Sequence, residues 1–278
     1  MDNLQITRVS KALGLENKIL GLRFLVLEKE YNDSSAEEIE GLSICSLVEL
    51  ACKGRSIKCN SSTLGCDDAA YALGLKEVPE YVYSGRKEYE DRKYLSKSIA
   101  FQVQNEKKYI PHEICGVIIS PLEEIEDPDL VIVIATAKDM MRLTQGYSRY
   151  YGVNKNLLSI GVQGICSELI SKPFMNNDLN VSLLSTCCRK LTDFSAGCMG
   201  ASFPIHMAEN IFKGILETVN LTENNVPKKK ILERLDSQDD LGFEIVMNYD
   251  YAIQAGKYEE YCEECIKESS NKKEDSDE

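Results

Sequence analysis

The run LVIVIAT at residues 130–136 constrains the fold more than any other stretch of the sequence. Its first six residues are all apolar, and β-branched side chains dominate it. A strand with one exposed face alternates apolar and polar residues, whereas an unbroken apolar run is typical of a strand that is buried on both faces. The run therefore predicts a central strand, covered by other elements on each side of its sheet.

Strand and helix candidates alternate along the chain. The other predicted strands, short apolar runs between polar or glycine-containing segments, are residues 20–27, 115–120 and 181–186. The main predicted helices are residues 1–18, 42–52, 85–98, 139–151 and 204–219. A loop rich in Cys and Gly is predicted at residues 187–203. This alternation indicates an α/β or α+β fold with a mixed sheet flanked by helices.

Two segments resemble each other closely enough to suggest an internal duplication of a strand–helix–loop–helix unit. In each, a helix that ends at a glycine leads through a loop to a second helix that opens with glycine and cysteine. These openings are Gly65-Cys66 in the first segment and Gly164 with Cys166 in the second. If the unit is duplicated, Cys66 and Cys166 are equivalent and face one shared site. Chance similarity of two helix–loop–helix stretches is the alternative.

Three regions are expected along the chain: an α/β domain over residues 1–220, a helical extension over residues 221–267, and a disordered acidic tail over residues 268–278. The extension contains a C-x-x-C pair, Cys262 and Cys265. The acidic neighbours are expected to raise the pKa of these thiols, and no second pair lies within range in the sequence to complete a zinc site. We therefore expect a labile or incidental pair.

Charge and hydropathy exclude several classes of function. The net charge of −13 and the lack of a basic footprint argue against nucleic-acid binding. No apolar run is long enough to cross a bilayer, and the N-terminus lacks the apolar segment of a signal peptide. We therefore expect a cytoplasmic protein with no membrane partner. In that compartment its eleven cysteines should be reduced thiols or metal ligands.

Several separated motifs resemble the domain-of-unknown-function 169 family. They are the runs CSLVELACKG, LGCDDAAYALGL, PLEEIEDPDLVIVIATAKDMMRLTQGYSRYYG, IGVQGICSELISKPF and VSLLSTCCRKLTDFSAGCMGASFP. The similarity extends over about residues 15–220, in the family's order. It implies an archaeal or anaerobic-bacterial protein, which also fits the absence of Trp and the many thiols. The resemblance implies no activity. It implies that the segments around Cys66, Cys166 and Cys187 are signature segments of the family.

Cys66 and Cys166 are the leading site candidates. Each is predicted at a helix N-terminus, where free backbone N–H groups and partial positive charge lower a thiol pKa. The neighbouring acids Asp67, Asp68 and Glu168 act in the opposite direction. The alternative is that both cysteines are small buried residues that pack a helix against the sheet.

The doublet Cys187-Cys188 follows a predicted strand, and Arg189 beside it favours a thiolate. With Cys66 and Cys166 it supplies enough thiols for an iron–sulfur cluster or another soft-metal site. No C-x2-C-x2-C run is present, so the ligands would have to converge from distant segments. The cofactor is therefore undetermined, with an iron–sulfur cluster or a soft metal as the leading expectation.

The secondary candidates are Cys198, His206, Arg189 and Arg86. His206 could form a nucleophilic pair with Cys198 or Cys187, or it could simply pack at a helix start. Arg86 could bind an anion at a capped helix start, or only cap it. Three further cysteines, at positions 45, 52 and 59, are spaced by seven residues, and the first two share an apolar helix face, which predicts core packing.

Three functions are compatible with these residues. The first is a thiol site that holds a soft metal, an iron–sulfur cluster or a metal-containing cofactor in anaerobic metabolism. The second is a scaffold or ligand-binding module whose cysteines only pack. The third is a metal-free enzyme that uses one activated cysteine. A small molecule or cofactor is the expected partner, and the sequence leaves the oligomeric state and the reaction open.

Overall fold

The computed structural model describes residues 3–218 of the 278-residue chain. The predicted extension, the acidic tail, and Cys262 with Cys265 lie outside the described residues. Residues 3–218 form a mixed α/β structure around one open sheet of seven strands, in the order β2-β3-β4-β1-β5-β7-β6. The strands are β1 Leu20–Leu25, β2 Glu37–Glu38, β3 Ile57–Asn60, β4 Gly116–Pro121, β5 Leu130–Thr136, β6 Asn180–Ser182 and β7 Cys198–Pro204.

Helices cover both faces of the sheet. They are α1 Asn3–Leu13, α2 Glu28–Asp33, α3 Ile44–Cys52, α4 Asp67–Ala72, α5 Glu80–Tyr83, α6 Arg86–Glu90, α7 Lys97–Glu106, α8 Ala137–Tyr151, a π-helix Gly164–Ser171, α9 Lys172–Asn176, α10 Thr186–Leu191 and α11 Ile205–Glu217. No helix within residues 3–218 combines the length and the apolar character that crossing a bilayer requires.

Strand β5 lies inside the sheet, as its apolar run predicts. It pairs antiparallel with β1 on one side and, over all seven of its residues, with β7 on the other. Successive side chains of a strand point to opposite faces. Leu130, Ile132 and Ile134 accordingly join one core with α3, α4 and the π-helix. Val131 and Val133 join a second core with α1, α8 and α11. The sheet is mixed because β2 pairs with β3 in parallel, while the other pairs are antiparallel.

The prediction of a loop at residues 187–203 is wrong, because the segment forms α10 and most of β7. Gly, Ala and Ser have low strand propensity, but cross-strand pairing decides the conformation here. A Cβ at Gly200 would meet the end of the Leu169 side chain in the π-helix, so a larger residue here would require Leu169 to move. The strand predicted at residues 181–186 is shorter and begins one residue earlier, as β6 at Asn180–Ser182.

The helix predicted at residues 85–98 is interrupted. It ends after α6, Arg92 takes a positive φ of 57°, and Ser96 caps the new helix α7 by accepting a hydrogen bond from the N–H of Ile99 at 3.2 Å. A capping serine in a charged segment starts a second helix more readily than it continues the first.

The described residues do not show the suggested duplication. In the first segment β3 separates α3 from α4, whereas no strand separates α8 from the π-helix in the second. The helix that follows Cys66 is an α-helix, and the helix that contains Cys166 is a π-helix. Similar spacing of glycine and cysteine has therefore arisen in two different local structures.

Candidate functional site

Cysteines from four separate segments meet on the face of the sheet that carries α3, α4 and the π-helix. They are Cys45 in α3, Cys66 just before α4, Cys166 in the π-helix, and Cys187 with Cys188 in α10. The thiol of Cys45 interacts electrostatically with those of Cys66, Cys166 and Cys188, and the thiol of Cys66 interacts with that of Cys187. We call these five cysteines the thiol centre. They are free thiols in the structure.

Cys45 is the member of the thiol centre that sequence reasoning missed. The prediction that Cys45 and Cys52 are buried is confirmed. The same packing brings Cys45, in the first turn of α3, against Cys188 of α10. A helix position that points into the core looks the same in sequence whether its neighbour is a methyl group or a second thiol, so no local signal identified it.

Two serine caps fix the helix turns that carry this pair. Ser43 immediately precedes α3 and caps it by accepting a hydrogen bond from the N–H of Ser46 at 3.2 Å. Ser185 accepts one from the N–H of Cys188, also at 3.2 Å, and so begins α10. Each cap satisfies a free N–H group of the first turn. The two turns are therefore held by local hydrogen bonds as well as by packing.

The π-helix that carries Cys166 is buried along all eight of its residues. Its first residue must be glycine, because a Cβ at Gly164 would lie 2.7 Å from the backbone nitrogen of Ser185. Glu168 is fully buried, and its carboxylate accepts hydrogen bonds from the N–H of Gly161 at 2.9 Å and from the hydroxyl of Ser182. These hydrogen bonds of Glu168 attach the π-helix to the preceding loop and to β6. π-Helices are rare and occur frequently at functional sites.

The expectation that a helix start lowers the pKa of Cys66 and Cys166 is wrong. Burial raises the pKa of the Cys66 thiol, although the N–H groups of Ala69 and Asp68 stabilise its charged form. Burial also raises the pKa of Cys166 to about 12. The cost of removing a thiolate from water exceeds the gain from helix-terminal N–H groups at both positions.

Cys45 and Cys188 form a polarised pair. The neighbouring thiol of Cys188 raises the pKa of Cys45, and burial raises it further. The neighbouring thiol of Cys45 lowers the pKa of Cys188, with help from the Thr192 hydroxyl and the Arg189 guanidinium. The predicted effect of Arg189 therefore falls on Cys188. A neutral thiol that donates to a neighbouring sulfur stabilises a thiolate there.

A buried polar group lies beside Cys166, and sequence reasoning missed it as well. Lys107 is 2% exposed, and its Nζ lies 3.2 Å from the Oε1 of Gln104 and 3.7 Å from the Oε1 of Glu88. Burial lowers the pKa of Lys107, while the positive charge of Lys107 favours a thiolate at Cys166. The Nε2 of Gln104 is buried without a hydrogen-bond partner. A lysine after a polar helix such as α7 gives no sign in sequence that it is buried.

The remaining part of the α10–β7 segment is held by Arg189. Its guanidinium donates to three carbonyl groups, those of Leu183 at 2.9 Å, Ser195 at 2.6 Å and Cys198 at 2.6 Å. Cys187 is exposed on α10, and Cys198 is half-buried with its sulfur 3.2 Å from the Ser195 hydroxyl. Arg189 therefore shapes the segment that carries Cys187 and Cys188.

His206 and Arg86 lie away from the thiol centre. His206 is exposed beyond the end of β7 opposite to Cys198, and a seven-residue strand separates the two by roughly 20 Å. Arg86 is exposed on α6 and forms an ion pair with Glu90 at 2.8 Å. The structure thus brings together Cys66, Cys166 and the doublet of α10, and it does not bring His206 or Arg86 to them.

The thiol centre matches a soft metal in donor chemistry but not in ligand spacing. Thiolates are the preferred ligands of Cu(I), Zn²⁺ and iron–sulfur clusters. Within residues 3–218, however, no group of three or more Cys, His, Asp or Glu residues is arranged to hold a metal ion. Coordination would therefore require thiol side chains of the centre to turn toward a common point.

Comparisons with known proteins agree with the sequence motifs. The model of the DUF169 family, described as "Uncharacterised ArCR", matches residues 8–214. No curated protein and no solved structure matches the chain. The matched range contains all five cysteines of the thiol centre and every strand of the sheet.

Proposed function

The chain belongs to the DUF169 family, and for this member we propose a thiol centre that binds a soft metal ion, an iron–sulfur cluster or a metal-containing cofactor. One observation carries the proposal. Cysteines from segments that are far apart in sequence lie close enough to interact electrostatically, and Cys45, Cys66, Cys166 and Cys188 all belong to one face of the sheet. Soft metals select clusters of this kind over oxygen ligands.

Proton release should accompany metal uptake. Burial raises the pKa of Cys66 and Cys166, so both thiols are protonated at neutral pH. A metal binds the thiolate and must displace those protons, which makes its affinity rise with pH. Lys107 beside Cys166 would offset part of the negative charge that a coordinated thiolate brings into the interior.

A reducing compartment suits this function. The nine cysteines described by the structure are free thiols, and buried free thiols persist where disulfides are kept reduced. Cytoplasmic residence and a redox or cofactor-delivery role in anaerobic metabolism are the setting that we propose. The expected partner is a small molecule or cofactor, and the net charge of −13 argues against nucleic acid.

The test is anaerobic purification of the full chain, followed by incubation with Cu(I), Zn²⁺, or Fe²⁺ with sulfide, desalting, absorbance spectra and metal analysis. We expect a stoichiometric metal content that Cys66→Ser and Cys166→Ser each reduce at least tenfold. Cys59→Ser is the matched control, because Cys59 is a buried thiol of the same core outside the thiol centre. A protein that remains free of metal and colourless under all three conditions would contradict the proposal.

A second candidate function, a metal-free cysteine nucleophile, is favoured by the lowered pKa of Cys188. Iodoacetamide labelling against pH, read by mass spectrometry, would then show a thiol in α10 that reacts at lower pH than the rest. If metal is absent and labelling is uniformly slow, the cysteines only pack. In that case Cys66→Ala and Cys166→Ala should reduce stability by about 1 kcal/mol or more without another effect.

A further inference from the structure

We infer that a groove on the sheet face opposite the thiol centre binds a small linear diamine, a ligand with two ammonium groups joined by a methylene chain. We call it the acidic groove; its lining residues come from β1, β4, α2, the residues just after α2, Ser56, and residues 124–126 after β4. Its volume of about 560 Å³ lies in the range of small-molecule sites. The inference goes beyond metal binding and does not depend on it, because no cysteine is among the described residues that line the groove.

The floor of the acidic groove is the second face of β1 and β4. In each strand, alternate residues belong to the core that contains the thiol centre, and the residues between them point to the other face. The residues of the second kind that line the groove are Arg23, Leu25, Ile118 and Ser120. Helices α1, α8 and α11 pack on this face with side chains of β5 and β7, whereas the floor on β1 and β4 is bordered by α2 and by loops.

Carboxylates outnumber cations in the acidic groove. Its borders carry Glu30 and Asp33 from α2 and Glu124 and Glu126 after β4, and its floor carries Arg23. The Nη2 of Arg23 lies 3.2 Å from the Oε1 of Glu30, so these two charges offset each other. No ion pair between described residues involves Asp33, Glu124 or Glu126. Three carboxylates are therefore left to attract a cation.

Two lysines near the acidic groove already have partners. The Nζ of Lys58 donates to the carbonyl groups of Tyr31 and Ser34, both at 2.9 Å. The Nζ of Lys18 lies 2.7 Å from the Oε1 of Glu123, which is not among the lining residues. The groove therefore keeps an excess of negative charge, and a cationic ligand can enter it without displacing an internal partner.

The hydroxyl of Ser120 is an observation independent of these charges. Ser120 is 1% exposed, and its Oγ has no hydrogen-bond partner within residues 3–218. Nearly all buried hydroxyls in proteins are hydrogen-bonded, because an unpaired one costs free energy. Gly21 faces Ser120 across the strand pair, and the side chain of Ile125 lies over Gly21. A rotation of Ile125, which also lines the groove, gives an ammonium group of the ligand access to the Ser120 hydroxyl.

The spread of the carboxylates favours an organic cation over a metal ion. Within residues 3–218, no three acidic side chains converge to hold a metal ion. Separate carboxylates suit separate ammonium groups instead, since each ammonium group donates up to three hydrogen bonds. Ile118 and Ile125 line the same groove and offer apolar contacts to a methylene chain. A linear diamine combines the two charges and the apolar chain in one ligand.

The test is isothermal titration calorimetry of the full chain with 1,4-diaminobutane, in a chelator and at about 0.15 M salt, which screens long-range attraction to the acidic surface. We expect saturable binding of one diamine per chain. 1-Aminobutane has the same carbon chain and a single ammonium group, and it should bind about tenfold more weakly. The uncharged 1,4-butanediol should not bind.

Three substitutions test the assigned residues. Asp33→Asn and Glu124→Gln should each weaken diamine binding about fivefold, because each removes one charge from a different border of the groove. Ser120→Ala should also weaken binding, and urea unfolding should show no loss of stability, because the hydroxyl has no partner among the described residues. Glu77→Gln is the matched control, since Glu77 is an exposed acid outside the groove and its substitution changes the net charge equally.

Several results would overturn the inference. They are the absence of saturable binding, equal affinity for 1-aminobutane, and an equal loss of affinity in Glu77→Gln and Glu124→Gln. A Ser120→Ala protein that binds the diamine as tightly as the wild-type protein would also contradict it. The chelator keeps metal out of the thiol centre, so each of these results leaves the metal-binding test independent.

Discussion

Burial and helix-terminal N–H groups act in opposite directions on the thiols of this protein. The N–H groups of Ala69 and Asp68 stabilise charge on Cys66, yet the loss of water raises its pKa by more. Cys188 differs because a thiol, a hydroxyl and a guanidinium all favour its thiolate. Desolvation therefore decides the acidity of a buried thiol unless several partners oppose it.

The buried thiols should make the protein sensitive to alkali. Burial raises the pKa of Cys59 from 9.0 to about 12. Such a thiol stabilises the fold fully below pH 9, and this stabilisation is lost as pH rises toward 12, because only the unfolded chain releases the proton. Cys59→Ala should therefore reduce the pH dependence of the unfolding free energy by about 1.4 kcal/mol per pH unit between roughly pH 10 and 11.

The measurement for Cys59 is urea unfolding at several pH values, compared with the wild-type protein. Val48→Ala is the control, because it removes a buried side chain from the same core without removing a titratable group. Its curve should lie below that of the wild-type protein and remain parallel to it. A Cys59→Ala curve that is also parallel would show that this thiol does not contribute to the pH dependence.

At the scale of elements, α8 and α11 pack closely against each other on the side of the second core. Gly146 of α8 and Gly214 of α11 lie against each other, and a Cβ on Gly214 would lie 2.9 Å from the Cα of Gly146. Arg142, one turn earlier in α8, donates to the carbonyl of Ile215 at 2.9 Å and to the hydroxyl of Thr218 at 3.3 Å. Small residues allow the helices to approach, and the buried guanidinium satisfies one carbonyl group in the last turn of α11.

Gly214→Ala should destabilise the protein by about 1–3 kcal/mol, because the added methyl group meets backbone atoms of α8 that cannot rotate away. Chemical denaturation monitored by circular dichroism would measure the loss. Gly197→Ala is the matched control, since nothing lies within 4 Å of the position of its Cβ. It should change stability by no more than about 0.5 kcal/mol. Equal effects of the two substitutions would show that the helix crossing is looser than the structure indicates.

At the scale of the whole molecule, one sheet separates two cores with different roles. Among the described residues, the core with α1, α8 and α11 is built mainly from aliphatic, aromatic and methionine side chains and contains no cysteine. The core on the other face contains the buried cysteines and borders α10 and the buried polar group around Lys107. Structural packing and candidate chemistry are thus divided between the two faces, and β5 contributes side chains to both.

Hydrogen exchange should follow the order of strands in the sheet. Amides of residues 130–132 in β5 are flanked by β1 and β7 and covered on both faces, so they should exchange only through global unfolding. Amides of α10 should exchange faster, since this short helix opens locally to expose Cys188. Deuterium uptake measured by mass spectrometry tests both expectations. Uptake in α10 as slow as in β5 would show that this short helix does not open locally.

The sequence by itself determined the elements whose signals are local. The apolar run of β5 predicted a strand buried on both faces, and its helix-covered position in a mixed sheet is confirmed. Thr136 and Asp139 form a capping box that begins α8, close to the predicted start. Gly65-Cys66 begins α4 as expected. Caps, glycines and apolar periodicity act over a few residues, so they can be recognised in one dimension.

Only the tertiary structure decided what depends on neighbours that are distant in sequence. Residues 198–204 have weak strand propensity. They form β7 because each of the seven pairs with a residue of β5. Cys45 became a partner of Cys188, and Lys107 became a buried neighbour of Cys166, because α3, α10 and the π-helix pack on the same face of the sheet. Desolvation and thiol contacts are properties of that packing, and no pattern along the chain encodes them.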